Sequence, residues 1–238
     1  MAPIRVEPPA YVSAEPVQSS PPFMPVVPDG PSRFAASVWI LARGGQTAGL
    51  LGGQLGASQA GARLTYVLGA SRKVALSARI AAPLQGRGRE AAFGIDWQPT
   101  AAPIHLIAEQ RVALDGGRGS PAVFAVGGIG PADIGQGLRV EAYTQVGVVI
   151  RGVVEPFGDG ATRLTRQVLD LDGTRIDLGI GAWGGAQPGV TRVDAGPSFS
   201  VATRAGDSSV RVTLDWRERI GGNANPRSGP ALSIGSDF

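Results

Sequence analysis

Leu138-Arg139-Val140-Glu141-Ala142-Tyr143-Thr144-Gln145-Val146-Gly147-Val148 decides the fold. Leu138, Val140, Ala142, Thr144, Val146 and Val148 fall on one side of an extended chain. Arg139, Glu141, Tyr143, Gln145 and Gly147 fall on the other. Side chains of a strand point alternately to opposite faces, so a period of two marks a two-faced strand, whereas a helix would repeat every 3.6 residues. The pattern recurs. Val74, Leu76, Ala78 and Ile80 alternate with Lys73, Ala75, Ser77 and Arg79, and Ala91, Phe93, Ile95 and Trp97 with Glu90, Ala92, Gly94, Asp96 and Gln98. Val210, Val212, Leu214 and Trp216 oppose Arg211, Thr213, Asp215 and Arg217, while Leu232, Ile234 and Phe238 oppose Ser233, Gly235 and Asp237.

Composition agrees. The 238 residues include 36 Gly and 19 Pro. A helical bundle is excluded, since each interior Gly costs a helix roughly 1 kcal/mol relative to Ala. No Gly-X-Y period is present, which excludes collagen. With 43% hydrophobic and 17% charged residues the chain has the means to bury surface and is not a disordered polymer. There is no cysteine, hence no disulfide and no thiolate metal site. The net charge of +3 is carried without any Lys/Arg run, so no nucleic-acid partner is expected. No apolar run reaches the roughly 18–20 residues of a membrane helix. The first residues lack the apolar core of a secretory signal peptide, so an exported form would be a mature chain or the end of a longer precursor.

Two regions are expected. Residues 1–31 hold nine of the 19 prolines and one glycine, which predicts a Pro-rich, extended linker or tail. Residues 32–238 hold the other glycines and form the fold. Twelve strands are predicted there, near 33–43, 54–69, 73–84, 89–98, 103–113, 120–128, 138–153, 161–169, 174–185, 190–203, 209–220 and 230–238. Gly- and Asp-rich connections separate them, including Leu84–Gly88, Asp115–Gly119, Phe157–Gly160 and Asp170–Gly173.

The apolar face can point to a soluble core or to lipid. Three features favour lipid, and so an all-β, antiparallel transmembrane barrel of about 12 strands in a bacterial outer membrane. The second face is built of Gly, Ala, Ser and Arg, residues that suit a narrow lumen. On that face Glu109 and Arg111, Arg139 and Glu141, Arg175 and Asp177, Arg192 and Asp194, and Asp215 and Arg217 are neighbours two apart, placed to pair inside a closed barrel. Aromatic residues Phe34, Tyr66, Trp97 and Phe238 sit near strand ends on the apolar face, where an interfacial girdle is required. This register puts Arg63, Arg79, Arg111, Arg139, Arg175, Arg192, Arg211 and Arg217 in the lumen. They are either an electrostatic filling paired with acids or the lining of an anion path, because rings of Arg select anions.

The last strand, Gly229-Pro230-Ala231-Leu232-Ser233-Ile234-Gly235-Ser236-Asp237-Phe238, resembles the closing strand of bacterial outer-membrane barrels. There the resemblance implies that terminal Phe238 is a signal to the barrel assembly machinery. Gly179–Gly189, Arg192–Pro197 and Asp215-Trp216-Arg217-Glu218-Arg219 resemble the C-terminal barrel of the phage-adsorption protein A (NfrA-like) group, related in layout to cellulose-synthase outer-membrane subunits. That resemblance covers residues 32–238, with 1–31 in the place of a Pro-rich linker. It implies a non-enzymatic porin-like pore or export and adsorption channel for an anionic or saccharide polymer. Members carry periplasmic helical repeats before the linker, and none precedes it here. The alternative is a closed structural barrel anchoring residues 1–31 and envelope partners at the membrane.

Other chemistry finds little footing. His105 is the only histidine and alternates with Ile104 and Leu106, as expected of a lumen-lining or interfacial side chain. Without a Ser–His arrangement or clustered carboxylates no catalytic residues are assigned. One His and no Cys give no metal-ligand spacing, and no cofactor is expected. Gly44-Gly45, Gly49, Gly52-Gly53 and Gly127-Gly128-Ile129-Gly130 precede no helix and are read as turns, not phosphate loops.

Overall fold

A computed structural model describes residues 32–44, 58–117, 119–205 and 208–237. The strands are β1 (Phe34–Arg43), β2 (Gln59–Leu68), β3 (Val74–Pro83), β4 (Glu90–Trp97), β5 (Ile104–Ala113), β6 (Ser120–Gly135), β7 (Leu138–Ile150), β8 (Val154–Leu171), β9 (Thr174–Gln187), β10 (Val190–Ala205), β11 (Ser208–Gly222) and β12 (Gly229–Asp237). Each pairs antiparallel with its sequence neighbour, and β1 pairs with β12, closing a barrel. Closure leaves no strand edge unpaired, the condition for a β-sheet to sit in hydrocarbon. The described residues contain no helix long and apolar enough to cross a membrane.

The alternation sorts as the period of two dictates. Along β5, Ile104, Leu106, Ala108, Gln110 and Val112 point out, and His105, Ile107, Glu109 and Arg111 are buried inside. Phe93, Ile95, Leu178, Ile180, Leu214 and Trp216 are exposed on the outer surface. A soluble protein seldom exposes a continuous apolar belt of this kind. Phe34 and Tyr66 pack tilted at 4.7 Å between ring centroids, and with Trp97 they lie on the terminal rim, where β1 begins and β12 ends. Trp216 lies towards the opposite rim. Phe238 lies outside the described residues, as do residues 1–31 and Gly45, Gly49, Gly52 and Gly53.

Turns at the terminal rim are short where they join the longest strands: Gln136-Gly137 and Asp172-Gly173 are two-residue hairpins with all four residues at positive φ. That is the backbone a type I′ turn needs, and Asp-Gly is its preferred pair. The opposite rim carries the connections at 44–58, 84–89, 114–119, 151–153, 188–189 and 223–228.

Two expected turns are not turns. Phe157–Gly160 lies within β8, which begins at Val154, and the chain reverses at Arg151–Val153 with Gly152 at φ 86°. Phe157 points inward, so this glycine-containing run is strand. Gly127–Gly130 likewise lies within β6, where Gly127 pairs with Ile104 and with Thr144. At Gly127 and Gly160 a Cβ would stand 2.9 and 2.8 Å from a backbone oxygen of the neighbouring segment, so these glycines serve close packing, not chain reversal.

The inner face also departs from a uniformly small one. Trp39, Phe124, Phe157 and Trp183 are buried inside the barrel. Glycine makes room for the two indoles. A Cβ on Gly61 would stand 2.3 Å from the Trp39 ring, and one on Gly181 would stand 2.5 Å from the Trp183 ring. Ile107, Ala122, Phe124, Val126, Val149 and Phe157 form an apolar cluster on the inner wall of β5–β8.

Candidate functional site

The inner face is the candidate site, because the charged networks lie there while the outer one carries the apolar belt. A twelve-strand barrel falls between small barrels that side chains fill and large porins that keep a water channel. Side-chain size inside therefore decides whether the bore is open. All eight arginines expected in the lumen are on the inner face. Arg79, Arg111, Arg192 and Arg217 are buried, and Arg63, Arg139, Arg175 and Arg211 partly so.

Three charged networks occupy the bore. On β2–β5, Arg79 donates to Glu90 at 2.8 Å and to Glu109 at 2.9 Å, while Arg111 donates to Glu109 at 2.8 Å. Arg63 donates to Asp96 at 3.0 Å, and the other oxygen of Asp96 lies 2.6 Å from His105 Nδ1. On β7–β11, Asp215 receives Arg163 at 2.9 Å, Arg217 at 3.2 Å and the Ser198 hydroxyl at 2.7 Å. Arg163 also reaches Glu141 at 3.1 Å, and Arg211 of β11 crosses to the same carboxylate on β7. Towards the opposite rim, Asp194 receives Arg192 at 2.6 Å and Arg43 of β1 at 3.2 Å.

Four of the five expected pairs form: Glu109–Arg111, Arg175–Asp177, Arg192–Asp194 and Asp215–Arg217. The fifth does not. Arg139 donates to the carbonyl of Pro131 at 3.0 Å, and Glu141 takes Arg163 and Arg211 instead. Arg43 and Arg163 join the networks although the sequence reading passed over them. Alternation from Ala161 through Arg163 to Thr165 carried the signal for Arg163; Arg43, at the end of β1, had none.

The aromatic residues inside are partners to these cations. Arg163 and Arg217 lie 5.5 and 4.5 Å from the Trp183 ring, and Arg111 lies 5.5 and 6.0 Å from the rings of Phe157 and Phe124. A desolvated cation over an aromatic face gains about 2 kcal/mol. Each ring therefore holds an arginine in the bore without adding charge.

The connection 223–228 closes in on the far rim. Ala224 and Pro226 are buried, Arg192 donates to the Pro226 carbonyl, and Arg219 donates to that of Ala224 at 2.8 Å. On the same rim, across the barrel, Asp115 clasps the loop 84–89, accepting from the amides of Arg89 and Gly88 and from the Arg89 guanidinium. Those bonds, the Arg89 amide first, hold the Asp115 carboxyl down at about 2. A depressed carboxylate stabilises the fold above its unfolded pKa and loses that contribution as pH falls through its folded value. The clasp should thus persist down to about pH 2. The Gly88 amide resonance should titrate near that pH, and in Asp115→Asn it should not titrate there at all.

His105 is buried inside and bonded to Asp96, so it lines the bore rather than the lipid interface. Among the described residues no group of three or more His, Cys, Asp or Glu is placed to hold a metal ion. Two pockets open at the terminal rim. One is lined by Thr65, Arg72, Lys73, Asp96, Gln98 and His105 among others, and has room for about one water. The second involves Arg139, Glu141, Thr165, Asp177, Ser200 and Arg211 and is as small.

No family model matches the chain, and no curated protein matches it. Solved structures do. An outer-membrane channel from Pseudomonas putida F1 aligns over 92% of this chain and 99% of its own, with a TM-score of 0.50 at 10% identity. The NanC porin aligns over 85% and 98% (TM-score 0.42, 12% identity), and a bacterial polysaccharide outer-membrane secretin over 87% and 98% (TM-score 0.42, 9% identity). At such identities the likeness is one of fold: a closed antiparallel barrel of the kind found in bacterial outer membranes.

Proposed function

We propose that the protein is a non-enzymatic outer-membrane channel of narrow bore, held shut in this state by its own ion pairs. The observation that carries the reading is the Arg211–Glu141 bridge, which runs from β11 to β7 and joins Arg163 and Asp215 in one connected network across the lumen. The exposed apolar belt supports the placement in a membrane, and the neighbouring folds support the outer one. A polymer could pass only after such bridges part. The excess of arginine over acid would then favour an anionic chain, in line with rings of Arg selecting anions. The cargo proposed, an anionic or saccharide polymer, rests on that excess and on the family resemblance.

Planar-bilayer recording tests this. Wild-type protein should be silent or show small, brief openings. The double variant Glu141→Gln/Arg211→Gln should conduct several-fold more, with reversal potentials displaced towards anions. A steady, large wild-type conductance would refute closure by ion pairs. A second reading, a barrel that never conducts and serves as an anchor for residues 1–31 and partner proteins, is favoured by the complete burial of Asp194 and Asp215. Silence of the double variant would establish it over the channel.

A further inference from the structure

The connection 223–228 between β11 and β12 folds inward, whereas connections ordinarily stand out in solvent. Asn223 and Arg227 are exposed, but Ala224 is 0% exposed and Pro226 is buried. A bulge starts the inward turn. The β10–β11 register shifts between Val193 and Asp194, which leaves one extra residue on β11, and Gly222 follows at φ 89°. Bulges bend a strand and re-aim what comes after it.

The shoulders and the middle of this segment are held differently. Asn223 is tied to the start of β10: its amide donates to the Thr191 carbonyl at 2.9 Å, and its side chain accepts from the Thr191 amide at 2.9 Å. Ser228 is tied to β11 through the Arg219 amide at 3.0 Å and the Glu218 carboxylate at 2.8 Å. Between these shoulders, side chains of the wall hold the carbonyls. Arg219 donates to Ala224 at 2.8 Å, and Arg192 donates to Pro226 and, at 3.4 Å, to Arg227. The Ala224 amide adds one bond to Thr191 at 3.0 Å.

Arg192 also carries the network below. Its Nε donates to Asp194, and Arg43 of β1 donates to the same oxygen. The second oxygen of Asp194 and the Nε and Nη2 of Arg43 are buried without a partner. Buried polar atoms left unpaired raise the energy of the state that buries them. Water admitted at this mouth would satisfy all three. Closure thus carries a penalty that opening relieves, and the charge-assisted bonds from Arg192 and Arg219 oppose it.

We propose that residues 224–227 are a lid at the far mouth, latched by Arg192 and Arg219, which swings out on its pinned shoulders while the barrel wall stays intact. The lid rests on the channel reading only for what its opening admits. Its movement is read by labelling, so lid and channel can fail separately.

The chain has no cysteine, which makes a single introduced thiol a clean probe. Ala224→Cys, in the full chain folded in detergent, is treated with a charged methanethiosulfonate. Ser71→Cys, exposed on the terminal rim, gives the rate of an open site, and Ala122→Cys, 1% exposed in the wall, that of a sealed one. Arg192→Gln should accelerate labelling of Ala224→Cys about tenfold towards the open rate, the weight of one charge-assisted hydrogen bond, and leave Ala122→Cys unchanged. Arg219→Gln should act in the same direction. Retained mobility differences between boiled and unboiled samples would show that each variant is folded. Labelling that neither latch variant accelerates overturns the lid. So does equal acceleration at Ala122→Cys, which would mean that the whole wall loosens. In planar bilayers, Arg192→Gln added to Glu141→Gln/Arg211→Gln should lengthen the openings several-fold. Unchanged openings beside faster labelling would show a segment that moves without gating, and overturn it as a lid. Silence of the double variant refutes the channel instead, and labelling still decides whether the segment opens.

Discussion

Asp215→Ala should be the most damaging single substitution inside the barrel. Asp215 is fully buried and holds Arg163, Arg217 and Ser198 at once. Its removal leaves two guanidiniums in the bore with only partial compensation. Arg163 keeps Glu141, whereas Arg217 keeps only the face of Trp183. Breaking a buried pair by deleting one partner costs about 3–5 kcal/mol, because the orphaned charge stays desolvated. Urea unfolding in lipid vesicles, followed by tryptophan fluorescence, should report a loss of that size. Asp215→Asn, which can still accept from Ser198 and one arginine, should lose less. Equal stability of Asp215→Ala and wild type would mean that water reaches the bore freely and screens these charges.

On the other face, Ile180→Arg should cost about 2–4 kcal/mol, the penalty for a cation at the midplane of a membrane barrel. Ile180 is 63% exposed, in the middle of β9, on the outer surface. In water this substitution would be nearly neutral, since an exposed isoleucine gains nothing from its surroundings. The sign and size of the effect therefore read the solvent outside the wall. Refolding yield into vesicles and unfolding free energy should both fall for Ile180→Arg, while Arg166→Gln near the rim should stay close to wild type. A change under 0.5 kcal/mol would place that surface in water and remove the membrane from the account.

Much of this was legible in the residues, and the reason is period two. Along 138–148 and 210–217 each residue's face follows from its parity, and parity alone puts the lumenal arginines on the inner side of the wall. Strand ends followed wherever a turn had its own chemistry, as at Asp172-Gly173. They failed at Phe157–Gly160 and Gly127–Gly130, because glycine packs against a neighbouring strand as readily as it turns a chain, and local sequence does not distinguish the two. Pairs two apart on one strand were also legible, apart from Arg139–Glu141. The pairs that bridge the bore were not. Arg211 meets Glu141 across 70 residues and Arg43 meets Asp194 across 151, and only closure of the sheet sets those distances. The burial of Ala224 and Pro226 belongs to the same class: it is defined by what surrounds them in three dimensions.

The ladder between β1 and β12 runs from Ser37↔Asp237 to Arg43↔Ala231 and joins the two ends of the folded chain. Every other ladder is a local hairpin that can form as its two strands meet. This one must wait, because its loop-closure entropy grows with the length of chain between the partners. Until it forms, β1 and β12 are both open edges with unpaired amides and carbonyls, which hydrocarbon does not tolerate and which invite other chains. Assembly thus finishes at this ladder, and the route into the membrane depends on whatever shields those two edges until it forms.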